Sequence, residues 1–211
     1  MHSSIIVTKP APDPALVTVY EAKVALGIPP SNVTDDEALR LMILRASDEV
    51  QTLCSRVFPK EEVIETFREI GNPITRLFLS RWPVYPVDII SIAGDGAALN
   101  LDYDVDSASG VLTLYNGGLW MQSVVVTYAG GYAIPQEVPG ALKNAVLLFT
   151  KDAYHATQRG DSSIRQISHK ESRISYFDTS KDSGSSSGGS GGSAAQRAAK
   201  DLLQRYTRLV A

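Results

Sequence analysis

Helical periodicity appears twice in this chain, on either side of a long tract with the grammar of strands, and that arrangement limits the folds open to it. The first stripe, Leu39, Ile43, Ala46, Val50, Leu53 and Val57, advances by four and three residues in turn, which places all six on one helix face. Thr34 with Glu37 three residues on has the form of a capping box, and Asp35 and Asp36 suit the positive end of the helix dipole. A helix is expected over about 34–57. The second stripe, Leu142, Ala145, Val146, Phe149, Ala153 and Ala156, follows Val138-Pro139, and a proline suits the first helical turn. It predicts a helix over about 138–159. Neither stripe can be buried alone, so the two are expected to meet in one core, which makes the tract between them an insert. A shorter helix over about 18–27 precedes them: Thr18 can cap it, Val19, Ala22, Ala25 and Leu26 recur at helical spacing, and Gly27 can end it.

Within the insert, residues 58–137, the runs Val63–Phe67, Leu77–Leu79, Val87–Ile92, Val111–Tyr115 and Val124–Tyr128 are rich in β-branched and aromatic residues. Turn signals separate them: Gly71-Asn72-Pro73, Gly94-Asp95-Gly96, Asn116-Gly117-Gly118 and Gly130-Gly131. Short strands at this spacing predict a small antiparallel sandwich or barrel. The fold class is therefore α+β, a helical body (16–57 and 138–160) carrying an inserted β-domain. Residues 1–15, with Pro10, Pro12 and Pro14, read as an extended N-terminal arm. Residues 161–182 hold two short alternating runs within Ile164–Phe177 and read as an exposed strand or hairpin. Residues 183–193 are only Ser and Gly, a flexible coil spanning about 18 Å root-mean-square; it reads as native, although an engineered linker has the same composition. Residues 194–211 form a basic amphipathic helix with Ala199, Leu202, Leu203, Tyr206 and Leu209 on one side, and Arg197, Lys200, Arg205 and Arg208 around the rest.

Charge and composition exclude some classes of function. Twenty Lys and Arg against 23 Asp and Glu leave a formal net charge of -3, the wrong sign for a protein whose main task is to grip phosphates. A channel through which DNA slides without being held is compatible with it. The single cysteine, Cys54, permits no intrachain disulfide. The first residues lack a secretory signal pattern, and no apolar run approaches the roughly 20 residues that span a bilayer. A soluble protein made in a cytoplasm, with no membrane partner, is expected.

Catalytic chemistry is sparse. Asp102, Asp104 and Asp106 resemble the start of a calcium loop, but Ser107 stands where the sharp-turn glycine belongs and Thr113 where the closing Glu belongs. Alternating aspartates are better read as a solvated strand edge that discourages pairing. Gly94-Asp95-Gly96 lacks a third glycine and a following helix, so it is a hairpin turn rather than a phosphate loop. His2, His155 and His169 have no metal-ligand spacing to one another or to Cys54. Cys54 reads as a small buried side chain, and Trp82 and Trp120 as covers for the ends of the β-domain. No catalytic, cofactor or metal residue is assigned, and the chain is expected not to be an enzyme. A ligand-binding β-module is a competing reading if Trp82 or Trp120 lines a pocket; a hydrolase is another if His155 or His169 meets a carboxylate. A chain with an arm, an exposed strand region and a linked helix instead looks built for contacts between chains.

Taken in order, Val17–Lys23, the helix from Asp35 through Leu39 to Cys54-Ser55-Arg56-Val57-Phe58, Leu79-Ser80-Arg81-Trp82-Pro83-Val84-Tyr85-Pro86-Val87, Val125–Tyr132 and Val138–Ala145 resemble the head–tail connector (adaptor) family of tailed bacteriophages and gene-transfer particles. The resemblance covers roughly residues 16–177; the Gly/Ser tract and final helix depart from shorter members. It implies a structural virion protein at the head–tail interface, present in the host cytoplasm during assembly. Its ring, commonly of twelve copies, would sit under the portal protein, with a stopper or tail protein below and double-stranded DNA passing through without sequence-specific binding. Within that resemblance the helical body would form the ring and the β-insert would face neighbours or the tail side. The segment from Ile164 onward would clasp the portal, with Ile174, Tyr176, Phe177, Leu202, Arg205, Tyr206, Arg208 and Leu209 as candidate anchors, since Arg and Tyr combine contact area with polar handles. A head-closure stopper or tail-completion protein is the nearest alternative.

Overall fold

The computed structural model describes residues 2–68, 73–94, 97–99, 102–120, 123–158, 166–169, 172–175 and 194–207. In chain order the elements are β1 (His2–Lys9), α1 (Val19–Leu26), α2 (Asp36–Cys54), β2 (Glu61–Arg68), β3 (Arg76–Phe78), β4 (Ile89–Gly94), β5 (Ala97–Ala98), β6 (Tyr103–Asp106), β7 (Val111–Leu114), β8 (Val124–Gly130), α3 (Gly140–Gln158), β9 (Gln166–His169), β10 (Ser172–Ser175) and α4 (Ala194–Leu203). Helices and antiparallel sheets occupy separate parts of the chain, an α+β fold. It divides into two compact units, each built from two stretches of chain: residues 1–14 with 56–138, and 15–55 with 139–211.

The β-unit is a two-sheet sandwich. Its larger sheet has the order β1-β2-β8-β4-β5 and its smaller one β3-β7-β6, with every pairing antiparallel. β8 shows why these residues form strands: Val124, Val126 and Tyr128 point inward and are buried, while Val125, Thr127 and Ala129 alternate outward. Val63 and Phe67 of β2, Leu77 of β3, Ile92 of β4, Val105 of β6 and Leu112 of β7 complete the same core, together with Trp120. Residues 2–9, expected as part of an arm, are extended but paired with β2 along their length. The prolines that suggested an arm begin only at Pro10, after the strand has ended. The run expected as a strand from Val87 starts two residues late, because Pro86–Asp88 is a 3₁₀ turn; proline fixes φ and offers no N–H to a ladder.

The helical unit is organised by caps and stripes. Thr18 and Glu21 form a reciprocal capping box on α1, and Gly27, at φ 71°, ends it in the left-handed conformation. The expected Thr34–Glu37 box does not form. Asp35 is the N-cap of α2, which puts Glu37 at the second rather than the third helical position, and the Thr34 N–H donates to Asn32 Oδ1 at 3.1 Å. On α2 the buried residues are Leu39, Ile43, Ala46, Ser47, Val50 and Cys54. Ser47 belongs in that stripe because its hydroxyl accepts the buried Leu16 N–H at 3.1 Å. Leu53 and Val57, expected in the stripe, are half-buried: Cys54 takes the core position, and Ser55 at φ 51° ends the helix before Val57. α3 buries Leu142, Ala145, Val146, Phe149 and Thr150, whose hydroxyl is satisfied by the Val146 carbonyl at 2.8 Å. Ala153 and Ala156 lie on the same stripe but are exposed, because the packing along this face stops one turn earlier.

Candidate interaction surfaces

The Leu79–Val84 segment belongs to neither sheet, yet it is held at both ends and in the middle. Leu79 N–H donates to Gly110 O at 2.9 Å and Val84 N–H to Ser107 O at 3.1 Å. Between them the segment is tied to a carboxylate inside the core. Glu65 is fully buried; one oxygen accepts from the Ser80 N–H (2.9 Å) and the Tyr128 hydroxyl (2.7 Å), the other from the Ser80 hydroxyl (2.6 Å). Tyr128 Oη in turn accepts the Arg81 N–H at 3.1 Å. Burial first, and then the neighbouring Glu65 carboxylate, push the Tyr128 hydroxyl far above its usual range, so it remains a donor. Gly130 lets the segment approach, since a Cβ there would lie 2.5 Å from the Arg81 carbonyl oxygen. Gly131, at φ 114°, donates its N–H to the Pro83 carbonyl at 2.9 Å, and a Cβ there would collide with the Pro59 carbonyl. Sequence reasoning missed this network. Its signal was present, since Val63, Glu65 and Phe67 alternate onto one face and place a carboxylate in line with the core.

Next to that segment, the Arg56 guanidinium lies 3.8 Å from the centre of the Trp82 ring, 5.0 Å from Phe58 and 5.8 Å from Tyr132, and it donates to the Trp82 carbonyl. One face of Trp82 is thus occupied, and Trp120 is inside the core. Beyond Val84 the chain presents an apolar knuckle. Tyr85, Val87 (90% exposed) and Ile90 all face solvent. Ile90 is the extra residue of a β-bulge between Ile89 and Ser91, which turns its side chain outward. The ion pair from Lys60 to Asp88, 2.8 Å, fastens the turn to the base of β2.

In the helical unit, Lys143 of α3 pairs with Glu21 of α1 at 2.6 Å. Partial burial of Glu21 opposes its ionisation. The Lys143 hydrogen bond, those from Thr18 and the Lys143 charge outweigh it and hold the carboxyl below its usual range. Lys23 is buried, with its ammonium on the Pro30 carbonyl and the Asp36 carboxylate. A cavity of about 270 Å³ opens between the start of α2 and the end of α3, lined by Asp35, Ala38, Leu39, Met42, Tyr154 and Thr157.

The anchors expected in the tail are only partly placed. α4 packs along α3 and touches α2, with Ala199 and Leu203 buried, so the apolar face expected to reach a partner is used within its own unit. Leu202 and Tyr206 are half-buried and Arg205 is exposed. Ile174 sits on β10, opposite Ile167 of β9, in a two-stranded hairpin. Tyr176, Phe177, Arg208 and Leu209, like the Gly/Ser tract 183–193, lie outside the described residues.

Asp102, Asp104 and Asp106 are exposed on or beside β6, an edge of the small sheet. Asp106 is engaged in its own turn, where the Ser109 hydroxyl (2.5 Å) and the Ala108 N–H (3.2 Å) keep its carboxyl below the usual range. Cys54 is buried, and His155 is exposed, edge-on to Tyr154. Among the described residues no three His, Cys, Asp or Glu groups converge as metal ligands, and no helix is long and apolar enough to cross a membrane.

The sequence profile of the head completion protein family matches residues 15–170. The chain belongs to the head completion protein family. That span takes in α1 to α3 and β2 to β9 and leaves out β1, β10 and α4, and it accords with the resemblance to head–tail connectors read from residues 16–177. No curated protein matches the chain in sequence. Its fold is similar to that of a chain in the neck of an empty gene transfer agent (GTA) particle, reconstructed with C6 symmetry, at 13% identity and a TM-score of 0.60 over 99% of this chain and 97% of that one. A chain in the neck of a native GTA particle, reconstructed with C12 symmetry, is similar at 14% identity and a TM-score of 0.58, over 99% and 97% of the two chains. A chain from the virion of the native particle is similar at 14% identity and a TM-score of 0.58, over 98% and 96%.

Proposed function

We propose that this chain is a structural component of a phage-like particle, a subunit of the adaptor ring in the neck. In this reading the ring docks beneath the portal protein, contributes to the channel through which double-stranded DNA passes, and receives a stopper or tail protein on its other side. The chain does no catalysis of its own, accumulates in the host cytoplasm during assembly and ends in the virion at the head–tail interface. The observation that carries this reading is membership of the head completion family over 15–170, combined with a likeness to neck chains that spans nearly the whole of both chains. Twelve copies satisfy both the C12 and the C6 symmetry of those necks. A net charge of -3 suits a channel wall that lets DNA slide rather than stick. Contact with the portal is assigned to the exposed basic side chains on and just after α4, Arg197, Lys200 and Arg205, since the apolar face of α4 is already engaged.

The words "head completion" also fit a head-closure stopper. Electron microscopy of the purified protein, alone and mixed with the portal encoded in the same genome, separates the readings. Rings on the portal are expected of an adaptor. Binding only to a portal that already carries another ring makes the chain a stopper, and a bare portal beside a monomeric protein overturns both.

A further inference from the structure

A sheet ends in strands whose outer N–H and C=O groups are unpaired, and proteins guard such edges by keeping them short, charged or interrupted by proline. Among the described residues the sandwich has four edges, and three of them are guarded. β5 has only two residues, β3 has three and begins with the exposed Arg76, and β6 carries the exposed Asp104 and Asp106. The fourth is β1. It is eight residues long and terminal in its sheet; from Ser3 to Thr8 it bears no charge, Lys9 comes only at its end, and no proline precedes Pro10. Its register against β2 is unbroken from His2 to Val7, and the irregularity that could twist the edge away comes after that. Ile6 is 62% and Val7 41% exposed. This edge is a template for another strand.

Among the described residues, β9 and β10 pair only with each other, four residues against four, as a sheet of their own without a third strand. A two-stranded ribbon of that length is marginal in water and gains from a further strand. We propose that β1 of one copy receives the β9–β10 hairpin of a neighbouring copy, so that the sheet of one subunit continues into the next through main-chain hydrogen bonds. The proposal rests on the ring reading. An edge on one copy and a hairpin on the next make a heterologous contact, which propagates in one direction and can close a ring. Pairing of β1 with another β1 would instead give a two-fold dimer and stop there.

Cysteine cross-linking in the assembled protein tests it. Ser4→Cys or Ile6→Cys copies are mixed with copies carrying Ile167→Cys, His169→Cys, Ser172→Cys or Ile174→Cys, assembled on the portal, oxidised mildly and run without reductant. A product of two chains is expected in the mixtures, confined to one hairpin strand and to positions two residues apart, because strand side chains alternate and a disulfide needs Cα atoms within about 7 Å. A second variant, Ser4→Lys with Ile6→Lys, is expected to raise the concentration needed for assembly about tenfold and leave the unfolding midpoint unchanged. Rings that form normally without any cross-link overturn strand addition and leave the ring reading intact. A cross-link formed only when both cysteines are in one chain, or only to the portal, also overturns it. A protein that stays monomeric and gives no cross-link overturns both.

Discussion

The two units hold themselves together in different ways. The β-unit places a carboxylate at the centre of its core and satisfies it with groups 15 and 63 residues away in sequence, Ser80 and Tyr128. The helical unit joins α1 to α3 through a half-exposed ion pair, Glu21–Lys143, and its core is filled mainly by the apolar stripes of α2 and α3. Its one buried charge among the described residues, Lys23, lies on the Pro30 carbonyl and the Asp36 carboxylate. A buried polar cluster is costly if one member is lost, because the others stay desolvated, whereas a half-exposed ion pair falls back on water. The β-unit should therefore be intolerant of polar changes that the helical unit absorbs.

The largest effects should be those the units share. Phe67→Ala in the sandwich and Leu142→Ala in α3 each remove a fully buried side chain and should cost about 3–4 kcal/mol in urea unfolding. Both tryptophans, Trp82 and Trp120, lie in the β-unit, so fluorescence reports that unit, while circular dichroism at the helical band reports the other. The contrast appears at the next level. Glu65→Ala should cost about 3 kcal/mol, since it strands the Tyr128 and Ser80 hydroxyls, and Lys143→Ala no more than about 1 kcal/mol. Equal losses from the two substitutions would break the comparison. Thr18→Ala, which removes a capping box, should cost about 1 kcal/mol and show in the helical signal.

The same contrast explains what could be read in the sequence. Helices depend on neighbours three and four residues apart, so the caps Thr18 and Gly27 and most of both stripes were legible. Thr34–Glu37 misled because whether a box forms depends on where Asp35 lets the helix start. Strands depend on distant partners. β8 was plain from its alternating valines, but β1 is a strand only because β2 lies beside it, and Pro10, Pro12 and Pro14 masked it. The surface was less legible still: the apolar stripe of α4 gave no hint that α3 would cover it, and nothing local marks Ile90 as a bulge residue.

The smallest effects are pH dependences of opposite sign. The Glu21 carboxyl is held below its ordinary value of 4.5, so its contribution is present above that pH and is lost as the pH falls through its lowered folded-state value. The helical signal should therefore lose stability in acid, and Glu21→Gln should flatten that slope. The Tyr128 hydroxyl is raised above its ordinary 10.0, so its contribution is complete below that pH and declines as the pH rises beyond it. The fluorescence signal should weaken in alkali, and Tyr128→Phe should remove that dependence.

The most direct test of the neck assignment is cryo-electron microscopy of the head–tail junction in particles made from the genome that encodes this chain. The account predicts density for this sandwich and its helices in a ring of twelve, directly below the portal and around the DNA channel. Density for the fold elsewhere on the particle, or particles complete to the tail without it, would contradict the account.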